Sequence, residues 1–311
     1  MNDAHPAKTP SRGMARGLTL LTLRSGSGWR LGVKTGRGIL DVPATAAALG
    51  MHAPATMDDL LHDEDGPSLN ALVDAAWRSQ DSGAVFLDEA AIEYGPVVTR
   101  PEKIIGVGLN YRRHAAEIGK AIPPKPVLFA KFCNALNGHT GTIRLPVESG
   151  TKFDYEVELV IVMGRTARNV SEADALSYVA GYCTGNDFSA RDLQDLPDGQ
   201  WLLGKTPDGF APIGPYLVTA DQVDPDNLAV ECRVNGETRQ RSTTSDMIFT
   251  SGQIISHISR ALTLKPGDVI FTGTPEGVIA GYPPDKQVWL RAGDTVTCGV
   301  GGLGELTFRL A

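Results

Sequence analysis

The chain has 311 residues with 29 basic and 36 acidic side chains, and this net charge of −7 argues against a nucleic-acid-binding protein. Its 42% of hydrophobic residues is enough for a buried core, and its length suits about two domains. The four cysteines are widely spaced, which predicts neither a disulfide scaffold nor a zinc site. No apolar run reaches the roughly 20 residues of a membrane segment. We therefore expect a cytoplasmic protein.

The N-terminal third predicts a tail followed by a small domain. Residues 1–17 are polar and predict a flexible tail without the apolar core of a signal peptide. Residues 18–97 predict a small α+β domain, and the proline-containing segment 95–103 predicts its boundary with a catalytic domain at 98–311. The predicted strands are 18–23, 29–33 and 39–42, and the predicted helices are 57–61 and 67–77.

The second domain is predicted to be mostly β, because short apolar runs alternate with glycine and proline. Asn235 and Gly236 are typical of a two-residue hairpin turn, which would lead into a strand at 237–241. The other predicted strands are 104–107, 127–131, 156–163, 216–219, 228–234, 269–271, 295–298 and 306–310. The predicted helices are 171–180, which begins at a Ser171 cap, and 251–262.

Three carboxylates alternate along one predicted strand. Asp154, Glu156 and Glu158 would share a face, about 6.5 to 7 Å apart, at the start of a strand that continues into the core. Three such groups cannot all remain ionised when dry, so water covers them, protons neutralise them or a cation binds them. A divalent-ion site therefore competes with a solvated strand face. Asp187, where an apolar stretch meets a loop, is a candidate third ligand or the cap of a turn.

A possible general base and two possible anion-binding groups lie elsewhere. If the segment 110–117 is helical, His114 and Glu117 are i,i+3 neighbours, and a carboxylate beside an imidazole is typical of a general base. The alternative is a surface ion pair. Glycines on both sides of this segment favour a lid. Lys205 and the loop 272–277 would face an anionic ligand, or would be a surface lysine and a plain turn.

Seven blocks between residues 103 and 310 together resemble the fumarylacetoacetate hydrolase family. They are KIIGVGLNYRRHAAEIG (103–119), FDYEVELVIVMGR (153–165), GYCTGNDFSARDLQ (181–194), GKTPDGFAPIGP (204–215), VNGETRQ (234–240), LKPGDVIFTGTPEGV (264–278) and LRAGDTV…GLGEL (290–306). The resemblance, to the acylpyruvase-like branch, implies a mixed β-roll catalytic domain preceded by a small N-terminal domain, and usually a homodimer.

The resemblance also implies roles for individual residues. Glu156, Glu158 and Asp187 would bind Mg²⁺ or Mn²⁺, with Ca²⁺ as a non-productive substitute, whereas Asp154 would not be a ligand. His114 and Glu117 would be the catalytic dyad on a mobile lid helix, with Lys205 as a third catalytic group. The positions that match those holding the oxo and carboxylate groups of the substrate are Arg191, Gln194, Lys205 and Thr274.

The implied reaction is hydrolysis of a carbon–carbon bond in an acylpyruvate or another β-diketo acid, as in aromatic-compound catabolism. The partner is then a small anionic substrate. The alternatives are oxaloacetate decarboxylation, isomerisation or hydration of a substrate such as 2-hydroxyhepta-2,4-diene-1,7-dioate, and non-catalytic metal-dependent binding of a 2-oxo acid. Two departures from the family pattern, the run 206–208 and the pair Glu276 and Ile279, leave the pocket shape and therefore the substrate open.

Overall fold

A computed structural model describes residues 13–78, 83–195 and 199–311. Most of the expected tail, residues 1–12, lies outside the described residues. The remainder of that tail is bound to the body of the protein. The backbone N–H of Arg16 donates to the Asn70 side chain at 3.0 Å, and that of Gly17 donates to Asp221 at 2.9 Å. Residues 13–17 are therefore held by hydrogen bonds, in contrast to the flexible tail expected for them.

The described residues form eighteen strands and seven α-helices, so the mostly β, α+β fold class is confirmed. The strands are β1 Thr19–Ser25, β2 Gly28–Thr35, β3 Gly38–Asp41, β4 Phe86–Leu87, β5 Ile104–Gly108, β6 Val127–Lys131, β7 Leu136–Asn137, β8 Thr142–Ile143, β9 Phe153–Asp154, β10 Val157–Met163, β11 Val179–Asn186, β12 Ser189–Ala190, β13 Ala211–Thr219, β14 Ala229–Val234, β15 Glu237–Thr243, β16 Val269–Phe271, β17 Thr295–Val300 and β18 Glu305–Leu310. The helices are α1 Val42–Leu49, α2 Met57–His62, α3 Gly66–Arg78, α4 Arg112–Glu117, α5 Arg191–Gln194, α6 Leu202–Lys205 and α7 Ser251–Ala261.

One eleven-stranded sheet joins the two parts of the chain. Its strand order is β4-β3-β2-β1-β13-β11-β10-β16-β5-β6, with β7 paired to β13. The junction is antiparallel pairing of β1 with β13, where Thr19 lies opposite Val218 and Leu20 opposite Leu217. Backbone hydrogen bonding therefore continues across the predicted boundary, and the N-terminal strands extend the sheet of the second part.

The central strand β10 separates two hydrophobic cores. All seven of its residues are buried, and their side chains alternate between faces. Leu159 and Ile161 belong to the core shared with the five-stranded sheet, whose order is β15-β14-β17-β18-β8. Val160 and Val162 belong to the core shared with the N-terminal helices. A strand buried on both faces is continuously apolar, which agrees with the run that follows the carboxylates.

Several local predictions are confirmed by the structure. The hairpin β14–β15 turns at Asn235 and Gly236, whose φ values of 51° and 84° are those a type I′ turn requires. The predicted helices 57–61 and 251–262 are present as α2 and α7, and each begins with a capping box that was not predicted, formed by Thr56 with Asp59 and by Thr250 with Gln253. Helix α1 was not predicted, because its alanine-rich sequence lacks an apolar stripe. It begins after Asp41, whose side chain accepts the Ala44 N–H.

Two predictions about the second part are wrong in detail. The helix expected at 171–180 is limited to a 3₁₀ turn at Ala175–Tyr178, because the apolar residues that follow pair as β11 with β10 and β13. The carboxylate-bearing strand is interrupted between β9 and β10, so Asp154 and Glu156 are not on one continuous strand. No helix among the described residues is both long and apolar enough to cross a membrane.

Candidate active site

Strand pairing brings the three predicted metal ligands together. In the antiparallel pair β10–β11, Val157 lies opposite Asn186 and Glu158 lies opposite Gly185. Glu156 precedes the first of these pairs and Asp187 follows it, and the Asp187 N–H donates to the Glu156 carbonyl at 2.9 Å. Carboxylate oxygens of Glu156, Glu158 and Asp187 lie within 4.8 Å of one another, and all three residues are buried. A solvated strand face is therefore excluded for this cluster.

Two predicted cationic residues surround the cluster. The Lys205 ammonium group donates to Glu156 at 2.7 Å, to Asp187 at 2.6 Å and to the Ser189 hydroxyl at 2.8 Å. A guanidinium nitrogen of Arg191 lies 2.7 Å from the other carboxylate oxygen of Glu156. Lys205 is 2% exposed, so it is not the surface lysine that the alternative interpretation assumed, and Arg191 is 8% exposed.

The charges at the site affect its carboxylates unequally. Burial by itself would raise the pKa of Glu156, but Arg191 and Lys205 outweigh it and lower that pKa to about 2. Burial, together with the negative charges of Asp187 and Glu156, raises the pKa of Glu158 well above its usual value. For the cationic Lys205, burial by itself would lower the pKa, but the negative charges of Asp187 and Glu156 outweigh burial and raise it. Of the two glutamates, Glu158 is thus the one whose negative charge is less compensated by neighbouring cations.

The donor set of this cluster fits a hard divalent cation. Three carboxylates supply only oxygen ligands, which Mg²⁺ and Mn²⁺ prefer, and no thiol or imidazole belongs to the group. The raised pKa of Glu158 favours its protonated form, and a bound dication would take the place of that proton. Glu156, Glu158 and Asp187 could therefore hold Mg²⁺ or Mn²⁺.

The His114–Glu117 pair lies on one short helix. Helix α4 places Nδ1 of His114 3.2 Å from Oε2 of Glu117, and His114 is 7% exposed. The other oxygen of Glu117 accepts the Gly277 N–H at 3.0 Å. The carboxylate is therefore fixed from both sides, and the buried ring excludes the surface-ion-pair interpretation.

A cavity of about 450 Å³ is lined by the carboxylate cluster and by His114. Eight of the nine predicted site residues line it, and Glu117, which stands behind His114, does not. Phe129 and Trp201 form an aromatic wall, packed edge to face with ring centroids 5.4 Å apart. The lining residues are Val107, Gly108, Leu109, His114, Ile118, Lys120, Phe129, Glu156, Glu158, Asp187, Arg191, Gln194, Asp195, Trp201, Lys205, Thr274, Val278 and Ala280.

The predicted substrate-binding residues are partly engaged by the protein itself. Arg191 donates through Nη1 to the Gln194 side chain at 3.0 Å, which orients both residues beside the carboxylates. The Thr274 hydroxyl donates to the Val157 carbonyl at 3.0 Å and accepts from Gln240 at 2.9 Å. The hydroxyl hydrogen of Thr274 is thus used within the protein, although the residue lines the cavity.

Two functional groups were missed at the sequence level. Lys131, buried at the end of β6, donates to Asp187 at 2.5 Å, and burial lowers the pKa of Lys131 although Asp187 acts in the opposite direction. The Gly273 N–H donates to Glu158 at 2.6 Å. A lysine that ends an apolar strand was a readable signal for Lys131, whereas a backbone N–H leaves no mark in a sequence.

Comparison with known proteins gives a consistent family assignment. The family model described as fumarylacetoacetate (FAA) hydrolase, C-terminal, matches residues 103–311. A fumarylacetoacetate hydrolase domain-containing protein 2 homolog of Dictyostelium discoideum is 50% identical over 216 residues, which cover 66% of this chain and 70% of that protein.

Two solved structures share the fold over nearly their whole length. Maleylpyruvate hydrolase from a Sphingobium species is 30% identical with a TM-score of 0.75, covering 94% of this chain and 99% of that one. The 2-hydroxyhepta-2,4-diene-1,7-dioate isomerase of Mycobacterium marinum is 31% identical with a TM-score of 0.69, covering 95% and 98%. These similar proteins are thus named as a hydrolase and an isomerase.

Proposed function

The chain belongs to the fumarylacetoacetate hydrolase family, and from that premise we propose that it is a metal-dependent hydrolase of acylpyruvates or related β-diketo acids. Enzymes of this family are generally metal-dependent. The observation that carries the proposal is one cavity lined by the buried carboxylates Glu156, Glu158 and Asp187 and by His114 with Glu117 behind it.

Mg²⁺ or Mn²⁺, held by Glu156, Glu158 and Asp187, would supply Lewis-acid polarisation of the 2-oxo-carboxylate end of the substrate. Ca²⁺ would bind without supporting turnover. Arg191, Gln194 and Thr274 would hold the oxo and carboxylate groups. The cationic side of the cavity suits an anionic substrate, and the Phe129–Trp201 wall suits its carbon chain.

His114 would act as the general base. Glu117 contacts Nδ1, which leaves Nε2 of the ring to take a proton from water. The resulting hydroxide attacks the carbonyl carbon distant from the carboxylate. The carbon–carbon bond then breaks, and its electron pair remains on the pyruvate side as an enolate. The Lys205 ammonium group stabilises this charge. Protonation of the enolate carbon completes the conversion of diketo acid and water into a carboxylic acid and a 2-oxo acid.

Isomerisation of an unsaturated 2-oxo dioate is the second candidate. It is favoured by the similarity to the M. marinum isomerase, and it needs the same enolate stabilisation without attack by water. Oxaloacetate decarboxylation also passes through an enolate. In all three reactions Lys205 would stabilise the enolate, and the reactions differ in how the enolate is formed and what becomes of it.

A substrate panel distinguishes these functions. Acylpyruvates, oxaloacetate and 2-hydroxydienoates are incubated with the protein and Mg²⁺, and the ultraviolet absorbance of each is followed with and without a chelator. We expect chelator-sensitive loss of acylpyruvate absorbance. Turnover of only the dioate or only oxaloacetate would select the isomerase or the decarboxylase. A ligand-induced thermal shift without any turnover would instead identify a non-catalytic binder.

We also propose that the protein is a cytoplasmic homodimer. The supporting observations are the exposed apolar side chains at and beside the edge strand β6 and at α6, which contacts it, because exposed apolar side chains at a sheet edge are prone to association. Leu128 is 37% exposed, Phe132 54% and Leu203 62%. Light scattering should give twice the monomer mass of 33.1 kDa. A monomer at micromolar concentration would contradict the proposal.

A further inference from the structure

Asp154 is a buried carboxylate that the proposed reaction does not use. It is fully buried, and it does not line the cavity. It precedes Glu156 by two residues, but it is not part of the cluster formed by Glu156, Glu158 and Asp187. A buried carboxylate needs hydrogen-bond donors, and the donors that surround Asp154 indicate its role.

Four donors surround the Asp154 carboxylate. The backbone N–H groups of Ile279 and Ala280 donate to it at 2.9 and 3.0 Å, and that of Tyr155 donates at 2.9 Å. Nε of Arg191 donates at 2.9 Å, and Arg191 also contacts Glu156. Asp154 therefore ties the loop 277–281 to the arginine beside the metal-binding carboxylates.

The same loop supports Glu117. Its first residue, Gly277, donates its N–H to Glu117 at 3.0 Å, while the Gly277 carbonyl accepts the Tyr155 hydroxyl at 2.9 Å. Its last residue, Gly281, lies against the carboxylate, because a Cβ added there would be 2.4 Å from Cδ of Glu117. The position of this loop thus determines where the Glu117 carboxylate stands.

We propose that the loop 277–281, anchored on Asp154, sets the position of Glu117, so that Asp154 is a positioning residue for the His114–Glu117 pair. The inference rests on the proposed function. A carboxylate suits this position because Oδ1 accepts from the N–H groups of Ile279 and Tyr155, whereas Oδ2 accepts from the Ala280 N–H and the Arg191 Nε–H. An asparagine would place its NH₂ group against one of these two pairs of donors and lose both hydrogen bonds on that side. The loop would then move away from its anchor, and Glu117 with it.

A double-mutant cycle tests the coupling. We compare D154N, E117Q and D154N/E117Q with acylpyruvate and Mg²⁺. D154N should lower kcat by about tenfold or more in the wild-type background but by less than about threefold when Glu117 is already replaced, because both changes act on the same group. D285N, at an exposed aspartate, is the matched control. If D154N lowers kcat by the same factor in the wild-type and E117Q backgrounds, the proposal is overturned.

A second readout does not depend on activity. The ring resonance of His114, assigned by its loss in H114Q, is recorded by carbon–proton correlation NMR in the wild type, E117Q, D154N and G281A. D154N and G281A should move this resonance in the direction that E117Q moves it. G36A is the control for G281A, because a Cβ at Gly36 meets no atom within 4 Å.

The outcomes separate the two proposals. Absence of turnover by the wild type would refute the proposed function, and the NMR comparison would still decide the positioning role. If D154N does not fold, G281A still tests whether the loop sets the position of Glu117, because it displaces Glu117 from the loop side without touching Asp154. G281A should also leave the Mn²⁺ affinity within about threefold of wild type. An unmoved His114 resonance in the folded variants would overturn the inference.

Discussion

At the scale of single residues, the site is a set of buried charges that are individually unfavourable and collectively compensated. Glu156 has two cationic partners and Asp187 has Lys131 and Lys205, whereas Glu158 accepts from the Gly273 N–H and forms no ion pair with any described residue. An uncompensated buried carboxylate favours a proton or a metal ion over the bare charge. This inequality makes Glu158 the most informative position for testing metal binding.

The variant E158Q should abolish metal-dependent turnover while the fold survives. Glutamine keeps the shape of the side chain but removes the charge that a dication requires. Because burial and its carboxylate neighbours raise the pKa of Glu158, neutralisation should not lower the thermal stability of the metal-free protein. Calorimetry with Mn²⁺ and thermal unfolding measure the two effects.

The control for this variant is E148Q, at an exposed glutamate. Full activity of E158Q in metal-depleted buffer would contradict the metal assignment. A large loss of metal-free stability would contradict the expectation drawn from the raised pKa of Glu158.

The variant H114A separates base catalysis from metal binding. His114 contacts Glu117 and lines the cavity but is not one of the clustered carboxylates. We expect kcat to fall by roughly 10² to 10⁴-fold, the usual contribution of a general base, with unchanged Mn²⁺ affinity. H52A, at an exposed histidine, is the control. Calorimetry that showed lost metal affinity together with normal turnover would reverse the roles.

At the scale of elements, tight turns hold the register that builds the site. The hairpin β14–β15 carries Gln240, which accepts the Val157 N–H at 3.0 Å and donates to Thr274 at 2.9 Å. The strand register set by the turn at Asn235 and Gly236 therefore determines whether Gln240 reaches the start of β10. A turn that lies 30 residues after Lys205 in sequence (235 − 205 = 30) thus supports the cavity wall.

The variant G236A should destabilise the protein, because Gly236 has a φ of 84° that an L-residue adopts only with strain. We expect a loss of about 1 kcal/mol in the free energy of unfolding, measured by urea denaturation. G36A, at a glycine with ordinary φ and open space, serves as the control. Equal stability of G236A and wild type would show that the turn relaxes without cost.

At the scale of the whole molecule, the N-terminal unit and the catalytic part share side-chain contacts as well as a sheet. Tyr94 packs edge to face on His139 with ring centroids 4.8 Å apart. The Thr307 N–H donates to Nδ1 of His139 at 3.1 Å, so that nitrogen carries no proton. Glu89, which accepts the Tyr94 hydroxyl at 2.9 Å, is the charged group that acts on the ring.

This junction predicts a pH dependence of stability. Burial lowers the pKa of His139 below its usual value of 6.5, although Glu89 acts in the opposite direction. The unfolded chain therefore binds more protons than the folded one as the pH falls below about 6.5, and stability declines in that range. Urea denaturation between pH 8 and pH 5 measures this slope.

The variant H139N should flatten that slope, because asparagine retains an acceptor for the Thr307 N–H but does not titrate in this range. H52N, at an exposed histidine, should retain the wild-type slope. Identical pH dependence of H139N and the wild type would exclude His139 as the group responsible.

Much of the fold was predictable because it depends on neighbours in sequence. The Asn235–Gly236 turn and the spacing of apolar residues act within a few residues, so α2, α3, α7 and most strands were found. The family resemblance rested on motifs of the same local kind. Local signals failed at 171–180, where pairing of β11 with two strands outweighs a helix cap. They also failed at Asp154, whose carboxylate accepts from the loop 277–281, more than a hundred residues away in sequence.

The sequence by itself determined most of the charged side chains of the candidate site, because charges that interrupt apolar strands must either be compensated or bind something. Only the tertiary structure decided their arrangement. It joined the N-terminal strands to the catalytic sheet, placed Lys131 behind Asp187 and turned Asp154 towards the loop that holds Glu117. These contacts join residues 56 to more than 190 positions apart. No local preference encodes them, because they form only when the chain packs as a whole.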